Sequence, residues 1–181
     1  EYYGLLPYLE RVENFRLFLI EPQKKYISCL KDVYGHLKGE VNYMNIAITK
    51  TSGDFLMSDG DNCAKVLNET NSDGKNVVKG VSWKEFLSEN NIDKVDVLLM
   101  DCEGYEFNII KQFEDTGVIP QNIRYEYPHS NTDQIDAFLK TMGYAVQYCR
   151  TDPCWDKVAI MGGEEIEYEI SQIWRVPKSK L

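Results

Sequence analysis

The sequence predicts an α/β fold whose sheet is mostly parallel and closes with an antiparallel hairpin. Short uncharged apolar runs, such as the one over residues 97–100, are typical of strands buried on both faces of a parallel sheet. Amphipathic helical stripes alternate with these runs, as in strand–helix–strand units. The last two runs flank Asp152 and Pro153, which favours a hairpin at the sheet edge. The length fits one domain spanning residues 1–181.

The same patterns place each element in order along the chain. Leu6 and Leu9 belong to one apolar stripe at helical spacing, and Ile135 and Leu139 belong to another. We predict strands over residues 16–21, 41–48, 77–82, 96–101, 122–128, 144–150 and 155–161, and helices over residues 3–13, 22–36, 83–91, 104–115 and 131–142. Residues 58–76 are polar and rich in turn residues, and we expect them to be the most mobile segment. Residues 164–174 alternate acidic with apolar residues, which predicts an extra edge strand or a docking tail.

Composition and charge exclude several classes of protein. Hydrophobic residues make up 43% of the chain, which excludes a disordered protein. A net charge of −9 argues against nucleic acid and against an anionic membrane surface as partners. No apolar run approaches the length of a membrane-spanning helix, and no signal peptide is visible. Five cysteines without metal-ligand spacing favour free thiols in a reducing compartment, so we predict a cytoplasmic protein. A disulfide between Cys149 and Cys154 is the less favoured alternative.

Acidic residues follow the apolar run over residues 97–100 at once. Asp101, Glu103 and Glu106 cluster where the strand ends, and Gly104 lets the backbone turn into the next helix. In open α/β sheets ligands bind at the carboxyl ends of strands, so these carboxylates are candidates for a binding or catalytic site. The alternatives are that they only favour the amino terminus of a helix, or that Glu103 and Glu106 orient the helix and loop by local hydrogen bonds. Cys102 lies among them and is interpreted as a small packing residue, because neighbouring carboxylates oppose a reactive thiolate.

A second junction of strand and acid occurs at Glu21. The run over residues 17–20 ends there, and Pro22 suits the first turn of the helix that follows. A carboxylate at the end of such a strand in a nucleotide-binding sheet accepts hydrogen bonds from both hydroxyls of a ribose. Glu21 is therefore the second candidate binding residue.

The order of these motifs resembles the FkbM family of S-adenosylmethionine-dependent methyltransferases over roughly residues 15–161. The matching motifs are Ile20-Glu21-Pro22, Asn45-Ile46-Ala47-Ile48, Gly80-Val81-Ser82-Trp83, Asp101-Cys102-Glu103-Gly104-Tyr105-Glu106, Arg124-Tyr125-Glu126-Tyr127-Pro128-His129 and residues 138–144. The acidic element at 101–106 is the most specific of them. The resemblance implies a doubly wound, Rossmann-like sheet and transfer of a methyl group from S-adenosylmethionine to an oxygen of an acceptor.

The resemblance also implies roles for particular residues. Glu21, Pro22, Asp101 and Glu103 are expected to bind the cofactor. His129 is expected to remove the acceptor's proton, because its ordinary pKa is nearest to neutrality, and the alternative is an exposed loop histidine. Asp101 is expected to contact the cofactor's amino group or the acceptor. The expected partners are a small-molecule or glycan-type acceptor and a second copy of the chain in a homodimer.

Two other interpretations stay open. One is a non-catalytic relic or binding module that keeps the sheet without the cofactor loop. The other is a different nucleotide-using α/β enzyme, such as a dehydrogenase, although the sequence carries no glycine fingerprint that would support hydride transfer. Asp101, Glu103, Glu126 and His129 have the chemistry to hold Mg²⁺ or Mn²⁺ if the fold gathers them, but our site prediction includes no metal.

The sequence departs from the family before Glu21. Gly4 is the only glycine ahead of residue 35, so the expected glycine-rich turn is absent from the sequence given. The family's first strand would lie between the strands ending at Glu21 and Asp101, and we expect the sequence to start after it. The alternatives are that these two strands pair directly, or that a second copy or residues 164–174 fill the space.

Overall fold

The computed structural model describes residues 5–58, 66–69, 77–126, 131–148 and 156–163, which form a mixed α/β structure. The strands are β1 Arg16–Ile20, β2 Glu40–Met44, β3 Ala47–Thr49, β4 Gly53–Met57, β5 Val66–Glu69, β6 Val77–Ser82, β7 Val97–Met100, β8 Asn122–Glu126, β9 Tyr144–Tyr148 and β10 Asp156–Met161. The helices are α1 Leu6–Leu9, α2 Lys24–Tyr34, α3 Trp83–Glu89, α4 Glu106–Ile110, α5 Phe113–Thr116 and α6 Thr132–Thr141.

The predicted strand over residues 41–48 is wrong as a single element. The chain forms β2 and β3 instead, and these two strands belong to different sheets. Between them the side-chain amide of Asn45 donates to the carbonyl oxygens of Glu21, at 3.0 Å, and Pro22, at 2.8 Å. These two hydrogen bonds hold Asn45 across the end of β1, at the point where β2 has ended and β3 has not yet begun.

Two predicted helices also differ from those in the structure. Among the described residues the first helix is limited to α1, and the predicted helix over 104–115 is divided into α4 and α5. The division lies at Gln112, whose side-chain oxygen accepts from the Trp83 amide at 2.9 Å. α3 begins where predicted because the Ser82 hydroxyl accepts from the Glu85 amide and caps the helix. α5 ends at Gly117, whose left-handed φ of 67° suits glycine.

The described strands form three separate sheets. β1 pairs with β2 in parallel, β3 and β6 pair in parallel beside antiparallel β4 and β5, and the third sheet has the order β7-β8-β10-β9. In the third sheet β7 and β8 are parallel, and β10 is antiparallel to both β8 and β9. The predicted closing hairpin is confirmed as β9–β10. One doubly wound, mostly parallel sheet is not confirmed, because antiparallel ladders are at least as numerous as parallel ones among the described strands.

β4 and β5 were not predicted. Phe55 and Met57 of β4 are buried in a small second core with Ala47 and Val78. The alternation of buried and exposed residues in β4 is short, and the glycine and aspartate before Phe55 are unfavourable in strands, so the sequence pattern did not predict this strand. β5 falls inside the segment over 58–76 that was predicted to be mobile. Apart from β5 and residue 58, that segment lies outside the described residues.

One main core holds the third sheet, β1 and helices α3, α4, α5 and α6 together. Trp83, Phe113, Ile123, Tyr125 and Leu139 are almost completely buried in it. The stripe predicted for the last helix is confirmed, since Ile135 and Leu139 of α6 are both fully buried. The core therefore fixes β7 and β8 firmly, and with them the chain ends that carry the candidate site.

The turn with Cys149 and Cys154 and the segment over 164–174 lie outside the described residues. No helix within the part of the chain that the structure describes is both long enough and apolar enough to cross a membrane.

Candidate active site

A cavity of about 1130 Å³ lies between β1 and β7. Glu21 and Pro22 line it after β1, and Asp101 and Glu103 line it after β7. The guanidinium of Arg16, at the start of β1, donates to carbonyl oxygens in the connection that leads towards β7. Both strands therefore begin at one edge of the cavity, and the predicted cofactor-binding residues line it where the two strands end.

Glu21 is held rigidly at this edge. Its amide donates to the Met44 carbonyl at 3.0 Å, and its carboxylate Oε1 accepts from the Gln23 amide at 2.6 Å. Burial raises the pKa of Glu21 above its ordinary value, although the Gln23 amide and Lys25 oppose that rise. One carboxylate oxygen thus has a fixed backbone partner, which sets the direction of the side chain.

The loop after β7 has a backbone that few sequences can adopt. Glu103 has a φ of 53° and Gly104 a φ of 98°, so two successive residues take left-handed conformations. The hydroxyl of Tyr105 accepts from the Lys50 amide at 3.2 Å and ties the loop to the end of β3. The turn predicted at Gly104 is confirmed.

Glu106 supports this loop from inside. Its side chain is fully buried, and Oε1 accepts from the Cys102 amide at 2.8 Å, whereas Oε2 has no hydrogen-bond partner among the described residues. Burial raises the pKa of Glu106; backbone amides of the loop oppose this, and the charge of Asp101 adds to it. Glu106 is a positioning residue for the segment that carries Asp101 and Glu103.

Carboxylates from two neighbouring strands meet beside this loop. Ligand oxygens of Asp101, Glu103 and Glu126 all lie within 4.8 Å of one another. Asp101 is exposed and the other two are half-buried. The fold therefore gathers three of the four residues that the sequence analysis considered for a metal. The fourth, His129, lies outside the described residues. Oxygen ligands alone suit Mg²⁺ or Ca²⁺, but exposed acidic groups often cluster without an ion.

Cys102 does not provide a nucleophile at this site. Burial raises the pKa of its thiol strongly, and the charges of Glu106 and Asp101 raise it further. The sequence-based interpretation of Cys102 as a packing residue is consistent with its contact with the main core.

Two residues that support the site were not among the predicted cofactor-binding or catalytic residues. Asn45 was noted only as part of a family motif, and its bonds to the Glu21 and Pro22 carbonyls depend on the break between β2 and β3. Glu106 was considered for local hydrogen bonding but was not included among the site residues. The signal available was its position, since a glutamate at the first turn of a helix after a glycine turn can reach back to loop amides.

Comparison with known proteins adds one finding. A family model described as Methyltransferase FkbM domain matches residues 5–146, which is most of the chain. Searches of curated proteins and of solved structures found no significant match.

Proposed function

This chain belongs to the FkbM methyltransferase domain family, and we propose that it transfers a methyl group from S-adenosylmethionine to a hydroxyl oxygen of its acceptor. The observation that supports this most is the convergence of Glu21, Asp101 and Glu103 on one cavity at the carboxyl ends of β1 and β7. Ligands of α/β proteins bind at this kind of edge.

The residues at this edge fit the cofactor by their chemistry. S-adenosylmethionine carries a ribose, an ammonium group and a sulfonium, and it supplies an electrophilic methyl group when bound. Glu21 would accept hydrogen bonds from the ribose hydroxyls, with Pro22 fixing the chain beside it. Asp101 would face the ammonium group or the acceptor, and Glu103 would add negative charge where the cofactor is positive.

The acceptor's hydroxyl proton requires a base, and His129 is our candidate. It follows β8 closely in sequence, and Glu126 at the end of β8 lies beside Asp101 and Glu103. A neutral imidazole would take the proton as the oxygen attacks the methyl carbon, while the sulfur keeps the electrons of the broken bond. A small-molecule or glycan-type acceptor, a cytoplasmic location and a homodimer are parts of the same proposal.

The alternative is a relic that keeps the fold without binding the cofactor. Isothermal titration calorimetry with S-adenosylhomocysteine separates the two hypotheses. We expect saturable heat from the chain, and a loss of that heat in Glu21→Ala. Glu114→Ala is the matched control, because Glu114 is an exposed glutamate on α5 outside the cavity. No heat at millimolar ligand from a folded chain would favour the relic.

A further inference from the structure

The segment that leads out of β1 is held by two residues at and just after the end of β2. The Glu21 amide donates to the Met44 carbonyl at 3.0 Å. The side-chain amide of Asn45 donates to the carbonyl oxygens of Glu21, at 3.0 Å, and of Pro22, at 2.8 Å. Three successive peptide groups, starting with the one between Ile20 and Glu21, therefore have hydrogen-bond partners there, and these fix the orientation of the segment.

The peptide group between Pro22 and Gln23 connects Asn45 to the carboxylate of Glu21. Its carbonyl oxygen accepts from Asn45, and its amide donates to Oε1 of Glu21 at 2.6 Å. A trans peptide is planar and its C=O and N–H point in opposite directions, so a hydrogen bond that fixes the carbonyl also fixes the amide. Pro22 has no amide hydrogen, so the Gln23 amide is the first one after Glu21 that can donate to its carboxylate. Asn45 thus acts on the Glu21 side chain through one peptide group.

This arrangement also favours the ionised form of Glu21. A peptide whose carbonyl accepts a hydrogen bond is polarised, and its amide becomes a better donor, an effect of about 10–30% per hydrogen bond. The Gln23 amide and the charge of Lys25 both lower the pKa of Glu21, against the rise that burial causes. An ionised carboxylate has about four acceptor sites, so the hydrogen bond from Gln23 leaves enough of them for two ribose hydroxyls.

Asn45 acts on the cavity without being part of its wall. Glu21, Pro22 and Gln23 line the cavity, whereas Asn45 is not among the described residues that do. Gln23 immediately precedes α2, so the hydrogen bonds of the helix do not use its amide, which is available to Glu21. Asn45 is exposed, so its replacement leaves the buried core intact. Its effect on a ligand must therefore pass through residues 21–23.

A ribose presents two neighbouring hydroxyl groups, and one carboxylate accepts from both only when its direction is fixed. We propose that Asn45 is a positioning residue for ribose recognition: it directs the Glu21 carboxylate through the peptide between Pro22 and Gln23, and it thereby makes the site select ligands that carry both hydroxyls. The ligand in this inference rests on the proposed function. The hydrogen bonds that direct the carboxylate are present without any ligand, so they are tested separately.

Calorimetry with two ligands tests the selection of the ribose. S-adenosylhomocysteine is compared with its 2′-deoxy analogue in the wild type, Asn45→Ala and Asn45→Leu. Leucine has nearly the size of asparagine and no donor, and either variant suffices where the other does not fold. Asn42→Ala is the matched control, because the Asn42 side chain donates to Glu40 at 3.0 Å and lies outside the cavity lining. The ratio of the two dissociation constants is the readout, since a general loss of structure weakens both ligands equally.

We expect the wild type to prefer S-adenosylhomocysteine by about 10–100-fold, which corresponds to one hydrogen bond to a charged group. The Asn45 variants should reduce this preference by about 2–10-fold, the contribution of one neutral hydrogen bond, and Asn42→Ala should leave it unchanged. Hydrogen exchange measured by NMR on the free protein tests the connection itself. In Asn45→Ala the Gln23 amide should exchange about 10-fold faster, while the Glu21 amide, which donates to Met44, keeps its rate.

An unchanged preference in folded Asn45 variants would overturn the proposal, since Asn45 would then only stabilise the chain. An unchanged exchange rate of the Gln23 amide would also overturn it. Equal acceleration of the Gln23 and Glu21 amides would do the same, because the whole end of the strand would then open. If the wild type binds neither ligand, the proposed function fails, and exchange of the Gln23 amide still decides whether Asn45 directs the carboxylate.

Discussion

Replacing Glu106 is the most direct test of whether its side chain stabilises the acidic loop after β7. Glu106→Gln removes the charge and keeps an oxygen that can accept from the Cys102 amide, whereas Glu106→Ala removes both. Both variants are neutral at every pH, so the difference between them contains no change of charge and comes from the hydrogen bond and the buried side-chain atoms. A neutral hydrogen bond contributes about 0.5–1.5 kcal/mol and a buried methylene about 0.8 kcal/mol. We therefore expect Glu106→Ala to be about 1–3 kcal/mol less stable than Glu106→Gln.

The pH dependence of stability gives a second, independent test of Glu106. Burial raises the pKa of Glu106 in the folded protein, so between the ordinary glutamate pKa of about 4.3 and the raised value the folded state binds more protons than the unfolded state. The contribution of Glu106 to the stability of the wild-type chain therefore falls as pH rises through that window. The advantage of Glu106→Gln over wild type should grow from pH 4.3 upwards and then level off.

Urea denaturation at a series of pH values measures the stability difference between the two variants and the pH dependence of the difference between Glu106→Gln and wild type. Glu114→Gln is the matched control, because an exposed glutamate should change stability by no more than about 0.5 kcal/mol at any pH. Two results would refute the reasoning: equal stability of the glutamine and alanine variants, or a difference between wild type and Glu106→Gln that does not change with pH.

Three further predictions concern the loop and the proposed chemistry. Glu21→Ala should weaken binding of S-adenosylhomocysteine by about 1.5–3 kcal/mol, the usual contribution of a hydrogen bond to a charged group, and unchanged affinity by calorimetry would remove Glu21 from the site. His129→Gln should lower turnover by about 10²–10⁴-fold with cofactor affinity intact, and full turnover on the true acceptor would contradict its role as the base. Gly104→Ala should destabilise the chain by roughly 1–2 kcal/mol, because Gly104 has a φ of 98°; urea denaturation with no shift would show that the loop can relax.

Local sequence patterns predicted the elements that bury one clear face. The stripe of Ile135 and Leu139 and the start of the helix at Trp83 each depend on neighbours within a few residues, and both are present in the structure. The position of Asp101 at the end of β7 followed in the same way from a short apolar run. Such signals are local, so a single sequence is enough to read them.

Features that depend on distant partners were not predictable in this way. β4 exists because Phe55 and Met57 meet Ala47 and Val78, which lie on other strands of its sheet. The meeting of Glu126 with Asp101 and Glu103 depends on the pairing of β7 with β8. In both cases the sequence shows suitable residues, and only the tertiary ladder decides which of them touch.

The cavity between β1 and β7 connects the packing of the fold to the proposed chemistry. Glu21 follows β1 and Asp101 follows β7, so the separation of these two carboxylates is set by the separation of the two strands. Phe18 and Ile20 of β1 pack against the main core, and Met100 of β7 is buried in it, so packing in this core fixes that separation. Cofactor affinity therefore depends on the core as well as on the site residues, because a rigid core holds those residues at their binding distance before the cofactor arrives.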